Sequence, residues 1–110
     1  MEVEQKTVVR SSIYFWDIKA IFEYGEESFG DKAALYFYEE LKLIVRKLET
    51  QYLLHPECRH LETKTKRYRN IILGAYLIIY RIRPNRIEVL RAFHGSRSPK
   101  TIKNVSKIKI

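Results

Sequence analysis

Histidine and arginine are the residue types in this chain best suited to chemistry. His94 stands in the run Arg91-Ala92-Phe93-His94-Gly95-Ser96-Arg97, and Arg69 lies in an earlier apolar run. An imidazole titrates near neutral pH and can give or take a proton. A guanidinium grips phosphate or carboxylate through two parallel donors. The plainer roles are for His94, beside Gly95, to cap a strand end, and for Arg69 and Arg91 to lay their stems along a sheet. His55, Cys58 and His60 crowd six residues and suggest zinc. Metal motifs supply four ligands at defined spacing, and no second pair exists, so no metal is expected. Neither an activated serine or cysteine nucleophile nor a phosphate-binding glycine loop is visible, and no cofactor or small-molecule substrate is expected.

Charge narrows the partners. Residues 1–57 carry 11 acidic and 7 basic side chains, a net of −4, whereas residues 58–110 carry 2 acidic and 14 basic ones, a net of +12. Together they give the overall +8. Excess lysine and arginine can simply keep a small domain soluble, but such skew points to a polyanion or an acidic protein on the C-terminal half. The single cysteine fits a reducing compartment. The start, Met1 to Lys6, is charged with no apolar stretch behind it, and the longest apolar run, Ala75 to Tyr80, is too short to span a bilayer. A cytoplasmic protein without a membrane partner is expected.

The elements that must position these residues follow from periodicity. Residues 3–10 read as a short first strand, and Ser11-Ser12 as N-caps of a helix starting near Ile13. Tyr14, Ile18, Ile21 and Phe22 form its apolar stripe, widened by Phe15 and Trp16. Gly30 ends this helix and Asp31 is the expected cap of the next, in which Ala34, Phe37, Leu41, Ile44 and Leu48 repeat at steps of three and four. The short connection predicts an antiparallel helical hairpin. Between Thr50 and Arg67 periodicity fails, and residues 62–66 read as an exposed loop. Three β-rich runs follow, Tyr68–Leu73, Tyr76–Arg83 and Arg86–Phe93, split by Gly74-Ala75 and Pro84-Asn85. They spell an antiparallel meander in a single α+β domain over residues 1–98, with a basic tail over 99–110 that has no clear place in a core.

Pairing neighbours through these turns puts Arg81 opposite Glu88 and Tyr68, and Ile78 opposite Ile71 and Arg91. The face with Ile71, Tyr76, Ile78, Tyr80, Val89 and Phe93 is assigned to the helices. The mixed face with Tyr68, Asn70, Ile79, Arg81, Leu90 and His94 is assigned to a partner or substrate. Arg91 falls on the supposed core face, where it fits badly.

In order and in detail, these elements resemble the RelE/ParE superfamily of bacterial type II toxin–antitoxin systems. Asp17-Ile18-x-x-Ile21-x-x-Tyr24 with Phe29-Gly30 resembles the first helix of that family, and Ala33-Ala34-x-x-Phe37 with Leu41 and Leu48 resembles the second. His55-Pro56, Arg69, Gly74-x-Tyr76-x-Ile78-x-Tyr80-Arg81 and Ile87-Glu88-Val89-Leu90-Arg91-x-Phe93-His94-Gly95-x-Arg97 match later positions. The resemblance spans roughly residues 5–100 and implies a toxin neutralised by a cognate antitoxin. RelE-like members cut messenger RNA on the ribosome, and ParE-like members poison DNA gyrase. The nuclease reading implies His94 as acid–base group, with Arg97, Arg69 and Arg91 on the phosphate. Lys64, Lys66 and Arg67 would then follow the RNA backbone, with Tyr68 as a stacking surface. RelE-type enzymes carry an arginine late in the second strand, where this chain has Ile72-Leu73, and a tyrosine after the last strand, where it has Lys100 to Lys103. Both departures weaken the nuclease reading, the glycine hairpin at Gly74 and the His94-Gly95-x-Arg97 ending lean towards ParE, and both mechanisms stay open. An acidic antitoxin segment is expected over Arg81, Arg83 and Arg86. The alternative outside the toxin class is a small basic RNA-binding domain or an inactive family member.

Overall fold

Ser11 shows how the chain opens its first helix. The computed structural model describes residues 3–110, so the Met1-Glu2 start lies outside the described residues. Strand β1 (Thr7–Arg10) is shorter than the expected 3–10 and runs into helix α1 (Ser12–Phe29). The Ser11 hydroxyl accepts from Tyr14 N–H at 3.0 Å and donates to Leu90 O at 2.6 Å, so one side chain caps α1 and ties it to the sheet. Gly30, at φ 89°, is both the C-cap of α1 and the residue before helix α2 (Asp31–Arg46). Asp31 is therefore not the cap; it opens α2 as an acidic first-turn residue, where its charge favours the helix dipole. A single glycine in the left-handed region reverses the chain tightly enough that Phe22 meets Tyr38 edge-on at 5.6 Å and Gly25 lies against Ala34, an antiparallel hairpin. A short turn of helix, α3 (Leu48–Gln51), continues α2.

The meander forms as β2 (Tyr68–Leu73), β3 (Tyr76–Ile82) and β4 (Arg86–His94), in the order β1-β4-β3-β2 with β1 parallel to β4. Tyr68 pairs with Arg81, Ile71 with Ile78 and Arg81 with Glu88, as the turns predict. Ile78, however, faces Ala92 and not Arg91. The ladder shifts between Ile79↔Arg91 and Tyr80↔Val89, leaving Leu90 as the extra residue of a β-bulge. One inserted residue exchanges the faces of everything beyond it. Ile87, Val89 and Ala92 consequently point to the helices, while Leu90 and Phe93 point away, and Arg91 escapes the core face.

Two cores result, one on each side of the sheet. The first joins Tyr14, Ile18, Leu41, Val45 and Leu48 of the helices to Ile71, Ile78, Tyr80 and Val89, with Phe37 half-buried at its margin. Phe15 and Trp16, expected to widen the stripe, are 53% and 68% exposed, because the sheet meets only the narrower stripe through Tyr14 and Ile18. The second core corrects two expectations. The mixed face is not open: Tyr68, Ile79, Leu90 and Phe93 are covered by Cys58 and Leu61 of the loop and by Ile102 and Val105 of the tail. The tail thus has a place in the core. Pro99–Asn104 form helix α4, capped by the Ser98 hydroxyl on Thr101 N–H, and a 3-10 turn follows at Val105–Lys107. Burying Ile102 and Val105 contributes about 1.5–3 kcal/mol each, enough to hold a short basic segment.

Candidate functional site

The residues singled out for phosphate chemistry are dispersed by the fold. His94 ends β4 and is exposed, and its ring meets Tyr76 edge-on at 5.9 Å; Tyr76 in turn meets Phe37 at 5.5 Å. His94 Nδ1 accepts Ser96 N–H at 3.0 Å and lies 2.7 Å from the Ser96 hydroxyl. An accepting Nδ1 places the neutral ring's proton on Nε2, which is then the donor nitrogen. Arg97 turns the other way, its guanidinium over the Phe93 ring at 5.5 Å in the second core. Arg69 pairs with Tyr80, whereas His94 pairs with Tyr76. Four residues of β3, roughly 13 Å, separate the two along the strand. The expected convergence of His94, Arg97 and Arg69 is therefore absent.

Arg69 and Arg91 both have structural partners. Arg69 donates to Leu53 O, His55 O and Lys66 O at 3.0–3.1 Å, pinning both ends of the loop to β2. It also adds to burial in lowering the pKa of His55. Arg91 forms a two-pronged pair with Asp17, at 2.8 Å for both contacts, and Asp17 also accepts Ala92 N–H at 3.0 Å. The Asp17 hydrogen bonds raise the Arg91 pKa further, so its guanidinium stays charged. This is where β4 runs past the end of β1, so the Asp17 carboxylate replaces a missing strand partner.

At the opposite end of β3 and β4, Glu88 is 2% exposed and gathers three arginines. It accepts from Arg81 Nε at 2.7 Å, Arg83 Nε at 3.1 Å and Arg86 Nε at 3.0 Å. Burial by itself raises its pKa, but the donors from Arg81 and Arg86 and the Arg81 charge outweigh burial and hold it below the usual carboxylate range. Arg81 is 4% exposed and spends its other donors on the Tyr68 hydroxyl, Ser106 O and Ile108 O, so it latches the tail to the sheet. Arg83 and Arg86 remain accessible, at 46% and 36%. Tyr68, expected to stack bases, is 6% exposed between Arg67 and Arg81 and offers no free face. Lys64, Lys66 and Arg67 are exposed on the loop.

Cys58 is buried and its thiol is pushed up to about 12, chiefly by desolvation, which leaves it a packing residue. Among the described residues no group of three or more potential ligands gathers around a metal position, and no helix is long and apolar enough to cross a membrane. Sequence reasoning placed Asp17 only in a helix motif and Asn70 only on the mixed face, without the ion pair and the cavity position that the fold gives them. Their signals were a carboxylate within an aromatic-rich helix stripe and an amide in an apolar strand, where asparagine is disfavoured.

The strongest accessible apolar surface is on the helical hairpin. Phe15, Trp16, Tyr24, Phe29, Leu35 and Tyr36 are all more than half exposed. A groove along its outer seam is lined by Phe15, Ile18, Lys19, Phe22, Leu35 and Tyr38. Contiguous apolar exposure of this kind marks a macromolecular contact more often than a catalytic pocket.

Comparison with known proteins agrees with this architecture. The family described as ParE toxin of type II toxin-antitoxin system, parDE, matches residues 16–99. Among solved structures the chain is similar to one titled "Chromosomal ParDE TA system from P. aeruginosa". The two share 17% identity with a TM-score of 0.68, over 84% of this chain and 98% of that one. At that identity the likeness speaks to the fold. No curated protein sequence matches the chain.

Proposed function

The chain belongs to the ParE toxin family of type II toxin–antitoxin systems, and from that premise we propose that it arrests growth by surface contact with the replication machinery, DNA gyrase, and is neutralised by a cognate antitoxin. The observation that carries the contact reading is the dispersal of the nuclease set. His94 Nε2 presents a donor, Arg97 lies on the other face, and Arg69 and Arg91 are spent on the fold. The exposed apolar side chains of the hairpin, Phe15, Trp16, Leu35 and Tyr36, support the same reading, as a surface that would dock a large protein.

Neutralisation follows from charge. Arg83, Arg86 and the tail cation Lys109 line a groove beside Glu88, where three arginines against one carboxylate leave positive charge uncompensated. An acidic antitoxin segment lying there would fold on binding, with association accelerated by the opposite charge. The test is expression of the chain with and without its neighbouring gene's product, followed by a gyrase supercoiling assay beside translation of a defined message on purified ribosomes. Growth arrest, relief by the neighbour, blocked supercoiling and an intact message are expected. Message cleavage at mapped ends with normal supercoiling would overturn the gyrase reading in favour of ribosome-dependent RNA cleavage, and harmless expression would favour an inactive or simply RNA-binding domain.

A further inference from the structure

Beneath the loop that crosses the β2 edge lies a second cavity, apart from the arginine groove and the hairpin seam. It measures about 500 Å³, within the range of small-ligand pockets. Its walls are mostly apolar, from Ile72, Leu77, Ile102 and Cys58. Into it faces Asn70, which is 95% buried given its 5% exposure. The Asn70 backbone N–H reaches Pro56 O at 3.1 Å, and its side-chain amide, although the residue is largely buried, keeps its polar atoms open to the cavity. An amide held in place by its strand and open on a cavity offers a donor and an acceptor side by side to whatever enters.

Cations stand at the rim. Arg59 and Arg97 line the cavity, and neither makes an ion pair among the described residues. Arg97 is held over Phe93, so its guanidinium is placed and not merely tethered. His60 lines the same rim with φ at 68°, a left-handed turn that carries Arg59 and His60 around the mouth. The one carboxylate in the lining, Glu57, is turned to Thr63 N–H at 3.0 Å.

A ligand for this cavity needs a flat apolar body, one edge with adjacent donor and acceptor, and a negative group some ångströms away. A nucleobase carrying a phosphate has all three. We propose that this cavity binds a nucleotide, its base edge on the Asn70 carboxamide and its phosphate on Arg59 and Arg97. The carboxamide fork matches adenine at N6 and N7, so adenosine monophosphate is the probe of choice. The site lies away from Lys64, Lys66 and Arg67 and does not depend on which machinery the toxin attacks.

The experiment is titration of the isotope-labelled full chain, followed by backbone amide shifts, with adenosine monophosphate, adenosine, inorganic phosphate and a short single-stranded oligoadenylate. The monophosphate should perturb amides around residues 57–60, 70–72 and 95–97, and bind at least about tenfold tighter than adenosine or phosphate alone. Asn70→Ala should lose about tenfold of that affinity while leaving phosphate binding unchanged. Arg59→Ala with Arg97→Ala, at two exposed positions, should remove the phosphate preference. Tighter binding of oligoadenylate assigns the base to a nucleic-acid strand, and weaker binding assigns it to a free nucleotide; both uphold the site. Monophosphate binding no tighter than phosphate, insensitivity to Asn70→Ala with the fold intact, or shifts confined to the Arg83–Arg86 groove would overturn the proposal.

Discussion

At the scale of the residue, local donors and acceptors decide what each candidate group does. His94 was legible as a histidine near a strand end, but its Nδ1 is fixed by Ser96 N–H, a contact no spacing rule foretells. His94→Ala and Arg97→Ala should each leave growth arrest within about threefold of the parent, whereas loss of a positioned acid–base group costs about a hundredfold or more. A colony-forming assay on the two variants decides it, and loss of toxicity in a folded His94→Ala protein would restore the catalytic reading. Arg91 and Asp17 are the opposite case. Removing either partner strands the other charge and, for Asp17, also the Ala92 amide. Asp17→Ala should destabilise the fold by about 2–4 kcal/mol, read from urea denaturation, with Asp17→Asn intermediate because it retains an acceptor for Ala92 N–H.

At the scale of the element, the helices and strands were readable because their periods differ, 3.6 against 2. The bulge at Leu90 was not, since an extra residue leaves the apolar pattern of Arg86–Phe93 looking continuous. It decides that Phe93 joins the tail-covered core and Ala92 the helix-covered one. The tail is equally opaque in sequence, because its two anchoring residues, Ile102 and Val105, are spaced among lysines. Deleting residues 99–110 should expose the second core and lower stability by about 3–6 kcal/mol, with dye binding to the uncovered face as the readout. The latch also has a pH dependence. Glu88 has a lowered pKa in the fold, so its contribution is complete above the unfolded value of about 4.3 and is lost as pH falls through the folded value. Thermal midpoints should hold steady from neutrality to about pH 5 and decline below it. Glu88→Gln should flatten that decline; an unchanged acid limb would remove Glu88 from the account.

At the scale of the whole molecule, charge and apolar exposure are segregated. The basic groove with Arg83 and Arg86 lies at the Arg81–Glu88 end of the sheet, and the apolar seam runs along the hairpin. Two separate surfaces allow separate effects. Trp16→Ala with Leu35→Ala should abolish growth arrest without loss of stability, because both side chains are at least half exposed. Arg83→Glu with Arg86→Glu should slow antitoxin association tenfold or more at low salt, with the difference shrinking as salt rises. Surface plasmon resonance at several ionic strengths measures this. An association rate that ignores both charge reversal and salt would move the antitoxin to the hairpin.

The sequence alone determined what depends on neighbours in the chain. These are the Ser11 cap, the hairpin of two amphipathic helices, the three strands with their Gly74 and Pro84-Asn85 turns, the pairing of Arg81 with Glu88 and Tyr68, and the skew of charge. It also carried the motif order that led to the family. Tertiary structure decided what depends on atoms distant in sequence. It set β1 beside β4, closed the mixed face with the tail and loop, spent Arg69, Arg81 and Arg91 on carbonyls and carboxylates, and left the Asn70 amide facing a cavity. The physical reason is that an arginine or an amide announces its capacity for hydrogen bonds in its formula, but which partner consumes that capacity depends on what the fold brings within 3 Å.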